Sequence, residues 1–232
     1  MTTTPTPDYT ETITEALRYL DDSGTEVPAE LRLRARRLTQ KAAGNLAAIN
    51  ARYRDAITDA LVSYFEGGIV TGPRNRFRAA TTDAFYDAFY LGWADGGGGI
   101  PTAEGLQWLT ARVNQEYGHI DMLMQQVKDL RKDEEFDFFA FVTARADGYV
   151  SAVLGVYNAG VMFGKQGRML TWQLGNTEKH CKTCLSLTGG RHRASWYISR
   201  NYIPRQPGAA MDCHGYNCDC RLVDDDGKEM TL

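Results

Sequence analysis

The sequence predicts a mainly α-helical protein, in which a body of long helices precedes a small α+β module stapled by zinc. Two observations predict this fold class. Apolar residues recur at alternating steps of three and four through much of the first two thirds of the 232 residues, the period of an amphipathic helix. All five cysteines lie in the last quarter, in the segments HCKTC and DCHGYNCDC. Two close groups of cysteines about thirty residues apart are typical of the two halves of a zinc site.

The N-terminal part of the chain is predicted to hold a flexible tail and then one long helix. Residues 1–24 begin polar and proline-bearing, and we expect them to form the tail. A helix is predicted from Pro28 to Glu66, because proline suits a first helical turn and the apolar period continues throughout. Gly67 and Gly68 end this helix, and Gly44 is a candidate kink.

Two further helices are predicted between residues 72 and 131. One begins at Gly72-Pro73 and stops at the glycine run 96–99. The next follows Pro101, with Thr102 as its cap. Its heptad-like apolar stripe from Leu106 to Val127 suits packing against a helix of the same molecule or of another subunit.

The last long helix is predicted to begin at Asp133, which would cap it ahead of Glu134 and Glu135. Four glycines interrupt its pattern, and they either weaken the helix or allow another helix to pack closely against it. These glycines are Gly148, Gly155, Gly160 and Gly164. The expected apolar side comprises Phe136, Phe139, Ala140, Val150, Leu154, Tyr157 and Val161.

The pattern changes after Gly167, where MLTWQLG predicts a strand and NCDCRLV a closing strand. The predicted organisation is a tail at 1–24, a helical domain at 25–167, a cysteine-rich module at 168–225 and a second tail at 226–232. A module of this size has a modest apolar core, and such segments often need a metal or disulfide staple. We therefore expect zinc to supply folding free energy here rather than chemistry.

The cysteine spacing indicates how one ion would be held. Cys181 and Cys184 have the spacing of a turn that offers two sulfurs to one ion. Residues two apart on a strand share a face, so Cys218 and Cys220 could reach the same ion. The predicted ligands are Cys181, Cys184, Cys218 and Cys220, with Cys213 and His214 as alternates.

Other interpretations of the cysteines stay open at this stage, namely a disulfide or unligated thiols. The absence of a secretory signal favours reduced thiols, and an odd cysteine count fits poorly with full pairing. A redox CxxC usually opens a helix in a βαβ unit, which this pattern lacks. A catalytic zinc is disfavoured because the chain has no HExxH and no nucleobase-deaminase pattern. Four cysteine ligands also leave no open position for a substrate, so we expect no enzyme.

The net charge of −3 gives no overall attraction to nucleic acid, so any such contact must come from a local basic patch. Two basic segments, LRLRARR and GRHRAS, are candidates, although a solvated helix face is the plainer interpretation of the first. The candidate contacts are Arg32, Arg36, Arg37, Arg191 and Arg193. No run of about 18 apolar residues stands out, so the sequence predicts no membrane partner.

The C-terminal module resembles the phage head morphogenesis family, the minor head proteins of Mu-type and SPP-type tailed phages. The resemblance covers about the last 60 residues and rests on TWQLGNTEKHCKTCLSLTGG, the spacer NYIPRQPG and CHGYNCDCRL. The matching positions are Trp172, Cys181, Cys184, Leu187, Gly189, Cys218, Cys220 and Leu222. Family members often carry a histidine-proline before the final cysteine pair, and this chain has DCHGYN there. Whether Cys213, His214 or Cys218 completes the site therefore stays open.

The resemblance implies a structural minor capsid protein that acts in head assembly or DNA delivery. Its implied partners are the portal and capsid proteins, with packaged DNA and self-association through helices as further candidates. Its implied location is the head of the virion, and the host cytoplasm during assembly. A zinc-stapled nucleic-acid-binding protein is the first alternative, and a metal-dependent nuclease is the second.

Overall fold

A computed structural model describes residues 45–98, 101–132, 135–206, 208–215, 218–227 and 229. This part of the chain is mainly helical, with a small sheet and a cysteine cluster near its C-terminal end, so the predicted fold class is confirmed. Long helices make up the body: α1 (Leu46–Gly67), α2 (Thr71–Asp95), α3 (Ala103–Leu130) and α4 (Phe138–Gly164).

The first helix begins later than the sequence predicts. Asn45 has extended backbone angles, and its side chain accepts a hydrogen bond of 2.9 Å from the Ala48 N–H, so α1 starts at Leu46. A helix running unbroken from Pro28 to Glu66 is therefore wrong, because asparagine competes for the backbone as a cap. Gly68 ends α1 in the left-handed conformation, as the glycine pair predicts. Residues 1–44, with the predicted tail and the earlier part of that helix, lie outside the described residues.

The predicted N-cap of α3 is confirmed, and that of α4 is wrong. Thr102 caps α3 as predicted, since its hydroxyl accepts from the Gly105 N–H at 3.2 Å. The cap of α4 is Asp137 rather than Asp133, which lies outside the described residues. The apolar side predicted for the start of α4 is wrong as well: Phe139 is 73% exposed, whereas Phe138 is buried and stacks on Phe65.

Helices α2 and α4 touch through their backbones. A Cβ atom at Gly160 would lie 2.2 Å from the Phe89 carbonyl oxygen, and one at Gly92 would lie 2.0 Å from that of Tyr157. No side chain fits at either position, so the glycines of this contact allow the close packing that the sequence analysis proposed. Gly148 is different, because a Cβ there would meet nothing within 4 Å.

Helix α4 is also long and apolar enough to cross a membrane by length and composition, with a mean hydropathy of 1.2 over its most apolar 18 residues. Charged and glycine residues interrupt this run, so no membrane span was predicted from the sequence. One third of that window is buried in the structure, and the second half of α4 lies in the core of the bundle. Core helices of bundles commonly show this composition. The expectation of no membrane partner stays a prediction.

The C-terminal module is a small antiparallel sheet with two short helices. The sheet has the order β2-β1-β3, with β1 (Met169–Gln173) in the centre between β2 (Arg191–Arg193) and β3 (Arg221–Val223). The short helices are α5 (Lys182–Leu187) and α6 (Ala194–Ser199). The predicted first strand is confirmed, whereas the closing strand is shorter than NCDCRLV and begins only after the last two cysteines.

The module and the bundle share one hydrophobic core. Trp172 on β1 and Tyr197 on α6 are fully buried within the same apolar cluster as the helices. Gly155 of α4 packs directly on Gln206 of the module, where a Cβ would lie 2.7 Å from its Cα. The segment after residue 167 therefore packs directly against α4 and is not connected to it by the chain alone.

Candidate metal centre

All five cysteines of the chain come together in the C-terminal module. Their sulfur atoms form two groups of three, and within each group the atoms lie within 4.8 Å of one another. One group is Cys181, Cys184 and Cys213, and the other is Cys184, Cys218 and Cys220. Cys184 belongs to both, so it is the centre of the cluster.

The first pair of cysteines lies at the start of α5, which the sequence analysis placed in a simple turn. Cys181 is the N-cap of α5, and its sulfur accepts from the Cys184 N–H at 3.3 Å. The two sulfurs lie 3.2 Å apart on one side of the helix start. The preceding β1 and the following β2 run antiparallel, so this CxxC does not belong to the βαβ unit of redox proteins.

Cys213 reaches the cluster through a pair of reciprocal hydrogen bonds that no motif predicted. The Thr183 N–H donates to the Asp212 carboxylate at 3.0 Å, and the Asp212 N–H donates to the Thr183 hydroxyl at 3.2 Å. These bonds join the first turn of α5 to the turn at residues 211–215. Since Asp212 is adjacent to Cys213, they bring that sulfur to the first cysteine pair.

Asp219 fixes the last two cysteines from the position between them. Its carboxylate accepts from the Asn176 N–H at 2.8 Å and from the Arg205 guanidinium at 2.8 Å. A Cβ at Gly175 would lie 1.9 Å from the Asp219 carbonyl oxygen, so the two backbone segments are in direct contact. Cys218 and Cys220 are therefore held against Cys184 by their shared neighbour rather than by a strand.

The cluster is a protected environment for sulfur. Cys184 and Cys220 are buried, and the other three cysteines are half-buried. All five are free thiols, so the disulfide alternative finds no counterpart in the structure. His214 is exposed, has a positive φ of 49° and belongs to neither group.

Hydrogen bonds within the cluster favour the thiolate at some cysteines at the expense of others, since the bonds that Cys184 makes to Cys218 and Cys220 raise the pKa of Cys184. Hydrogen bonds from Cys184 and Cys220 lower the pKa of Cys218 to about 2. Burial opposes ionisation of Cys181, yet hydrogen bonds from Cys184 and Cys213 bring its pKa below the usual cysteine value. Burial raises the pKa of Cys213 to about 11. A cluster that already favours thiolates at two positions is suited to a cation, because thiolates are the form that binds metals.

The donor set fits a metal ion. A tetrahedral zinc with Zn–S distances of about 2.3 Å holds its sulfurs about 3.8 Å apart, which lies within the 4.8 Å that separates the sulfurs of each group at most. The two groups of three sulfurs share Cys184 and together offer more donors than the four that zinc needs. An all-sulfur set selects soft ions such as zinc. The cysteine cluster can therefore hold a metal ion, with Cys184 common to every arrangement.

The candidate nucleic-acid contacts do not gather at this centre. Arg191 and Arg193 lie on the exposed face of β2, where Arg191 forms an ion pair of 2.6 Å with Asp225. Arg193 donates to the Gly167 carbonyl oxygen at 3.2 Å. The remaining candidates, Arg32, Arg36 and Arg37, lie outside the described residues.

The scan against protein-family models, the search of curated proteins and the search of solved structures each found no match to this chain.

Proposed function

We propose that this chain is a structural minor capsid protein of a tailed phage, with zinc as the ion in the cysteine cluster. The observation that carries the proposal is the convergence of five cysteines, four of which, Cys181, Cys184, Cys218 and Cys220, lie at positions on which the family resemblance rests. In this role the long helices contact portal or capsid neighbours, and zinc holds the C-terminal module in shape. Bound zinc would link α5, the turn at 211–215 and the segment before β3 at one point.

The irregular backbone of the module supports a structural role for the ion. Much of the module is irregular backbone between short elements, and segments with few regular elements depend on cross-links for stability. An ion bound by four thiolates is closed to substrate, so this proposal assigns no catalytic step to it. The nuclease alternative predicts cleavage of DNA or RNA when metal is supplied, and a simple incubation tests it.

The test of the proposed role is the protein's presence in particles. Procapsids and mature heads are purified from cells that produce the encoding phage, and the chain is quantified by mass spectrometry. We expect a small, fixed copy number per particle. In complementation, the variant Cys181→Ser/Cys184→Ser is expected to be lost from particles, whereas His214→Ala is retained. Absence of the wild-type chain from both particle types would contradict the proposal.

A second candidate, nucleic-acid binding, is favoured by one surface of the module. Arg200 stands over one face of the Trp196 ring at 4.2 Å from its centroid, and His192 stacks on the ring at 3.7 Å. Exposed Arg193 lies on the strand that precedes this stack. Since the Trp196 ring already contacts Tyr197 and Tyr202 as well as His192 and Arg200, binding here would use phosphates rather than bases.

Salt dependence tests this second candidate. The log of the affinity for duplex DNA should fall linearly with the log of salt concentration, and Arg193→Gln/Arg200→Gln should lower the slope by about 2. Arg54→Gln, which removes an exposed arginine from the bundle, is the matched control. A salt-insensitive interaction, or one that the double variant leaves unchanged, would remove the candidate.

A further inference from the structure

A cleft of about 330 Å³ lies between α3 and α4 in the helical bundle. None of its lining residues belongs to the cysteine-rich module, so it is a separate feature of the molecule. Cavities of this size accommodate small organic molecules. The question is which chemistry the lining residues would bind.

The floor of the cleft contains a carboxylate that already has an arginine as its partner. The Glu116 Oε2 atom accepts from Arg112 Nη1 at 2.6 Å, and His119 Nδ1 lies 3.6 Å from the same oxygen. The side chains of Arg112 and Glu116 are 4% and 5% exposed. Arg112 Nε has no hydrogen-bond partner among the described residues. At the floor, the Glu116 carboxylate is therefore already hydrogen-bonded, whereas the buried Arg112 Nε remains without an acceptor among the described residues.

On the side of the cleft formed by α4, a second cation, Arg145, has only a neutral amide oxygen as its hydrogen-bond acceptor. Arg145 donates from Nη2 across the cleft to the Gln126 side-chain oxygen at 2.9 Å, and its guanidinium stands over the Phe141 ring. An amide oxygen is neutral, and a carboxylate or phosphate oxygen forms a hydrogen bond roughly twice as strong with a guanidinium. An incoming anion would therefore replace Gln126 as the partner of Arg145.

Apart from Tyr149, the rest of the lining is apolar or carries no side chain. Met122 on α3 is 64% exposed, and it shares the cleft with Leu123, Ala144 and Ala152. Gly148 lines the cleft in the middle of α4, and a Cβ atom there would meet nothing within 4 Å. Glycine disfavours a helix interior, and no contact within the described part of the chain requires it at this position. The free volume above Gly148 is thus available to the body of a ligand.

From these observations we infer that the cleft between α3 and α4 binds a small organic anion. Its carboxylate or phosphate group contacts Arg145 and the Arg112 end of the cleft, and its apolar body lies over Gly148 against Met122. The inference is independent of the capsid proposal, because it uses no residue of the metal centre.

Calorimetric titration of the full chain with 4-phenylbutyrate tests the inference. The matched neutral probe is 4-phenylbutyramide, which has the same body without the charge, and inorganic phosphate supplies charge without the body. We expect the acid to bind at least about tenfold more tightly than the amide, the ratio expected from one charge-assisted hydrogen bond. Inorganic phosphate should bind more weakly than the acid. Equal affinity for acid and amide, or no saturable binding of the acid, would overturn the inference.

Two variants locate the binding in the cleft. Arg145→Gln should weaken binding of the acid about tenfold by removing the cation. Gly148→Leu should abolish binding by filling the space, while its melting temperature stays at or above that of the wild type. Gly118→Leu is the matched control, since Gly118 is an equally open helical glycine on α3 outside the cleft. Retained binding in a folded Gly148→Leu variant would show that the ligand lies elsewhere.

Discussion

The helical bundle and the cysteine module of this chain are held together in opposite ways. In the bundle, α2 and α4 approach until the backbone of one meets the glycines of the other, and buried aromatic rings fill the space beside them. In the module, short elements are separated by turns, and five sulfurs occupy the place where those turns meet. Packing contacts between many atoms stabilise the bundle, whereas the cysteine cluster is the one point at which the turns of the module meet.

This difference determines how each region should respond to change. A dense contact distributes free energy over many neighbours, so a single added methyl group is felt there. A metal-centred region depends on a few ligand atoms, so removal of one of them affects the whole region. The shared core then decides how far a disturbance in one region reaches the other.

The largest effect is expected from Cys184→Ser, because Cys184 belongs to both sulfur groups. Metal affinity should fall more than about 100-fold, since removal of even an outer hydrogen-bond partner of a ligand costs 10–100-fold. Hydrogen exchange should show lost protection in residues 169–223, and circular dichroism should show the helical bundle largely retained. His214→Ala is the control and should keep its metal. Normal metal content in Cys184→Ser would place the ion elsewhere.

Gly160→Ala should have the next largest effect and should act on the bundle. The new Cβ would lie 2.2 Å from the Phe89 carbonyl oxygen, so α2 and α4 must separate. We expect the free energy of unfolding to fall by about 3 kcal/mol in urea titrations, the upper end for an overpacked core.

The matched control for this substitution is Gly148→Ala. Its Cβ meets open space, so the variant should gain about 0.5–1 kcal/mol from the better helix propensity of alanine. Equal effects of the two substitutions would mean that the α2–α4 contact is looser than described. Metal content should be unchanged in both variants, which keeps this prediction separate from the first.

Asp212→Ala should have an intermediate effect on the module alone. It removes the acceptor of the Thr183 N–H and with it the link that brings Cys213 to the first cysteine pair. Loss of such a hydrogen bond costs about 1–2 kcal/mol. Metal affinity measured by chelator competition should fall by at least about tenfold. Asp226→Ala, an exposed aspartate near the end of the chain, is expected to bind metal as the wild type does.

Asp219→Asn should have the smallest effect, and it should depend on pH. The Asn176 N–H, with Arg205 as a second cause, lowers the pKa of Asp219 below the ordinary aspartate value of about 3.9. A lowered pKa contributes stability above that value, and the contribution is lost as pH falls through the folded-state pKa. Unfolding curves of variant and wild type should therefore differ at neutral pH and converge in acid. A difference that persists in strong acid would contradict this assignment.

Periodicity and spacing predicted the coarse architecture, and tertiary contacts decided the rest. The period of three and four located α2 and α3, but the cap of α4 was predicted at Asp133 and lies at Asp137. Phe136, Phe138 and Phe139 fit either choice, and packing of Phe138 on Phe65 selects the later one. Local pattern carries no information about such a partner.

The same limit applies to the cysteine cluster. Close cysteine spacing predicted that remote sulfurs meet, but it left the role of Cys213 open. The bonds between Thr183 and Asp212 bring Cys213 to the cluster, whereas His214, with its left-handed backbone, belongs to neither sulfur group. A residue pair 29 positions apart leaves no periodic signal in the sequence.

The most direct test of this account is the metal content of the purified full chain, measured by mass spectrometry together with a count of reactive thiols. The account predicts one zinc ion per chain and thiols that react fully only after chelation. Metal-free protein with five freely reactive thiols and an intact C-terminal module would contradict it.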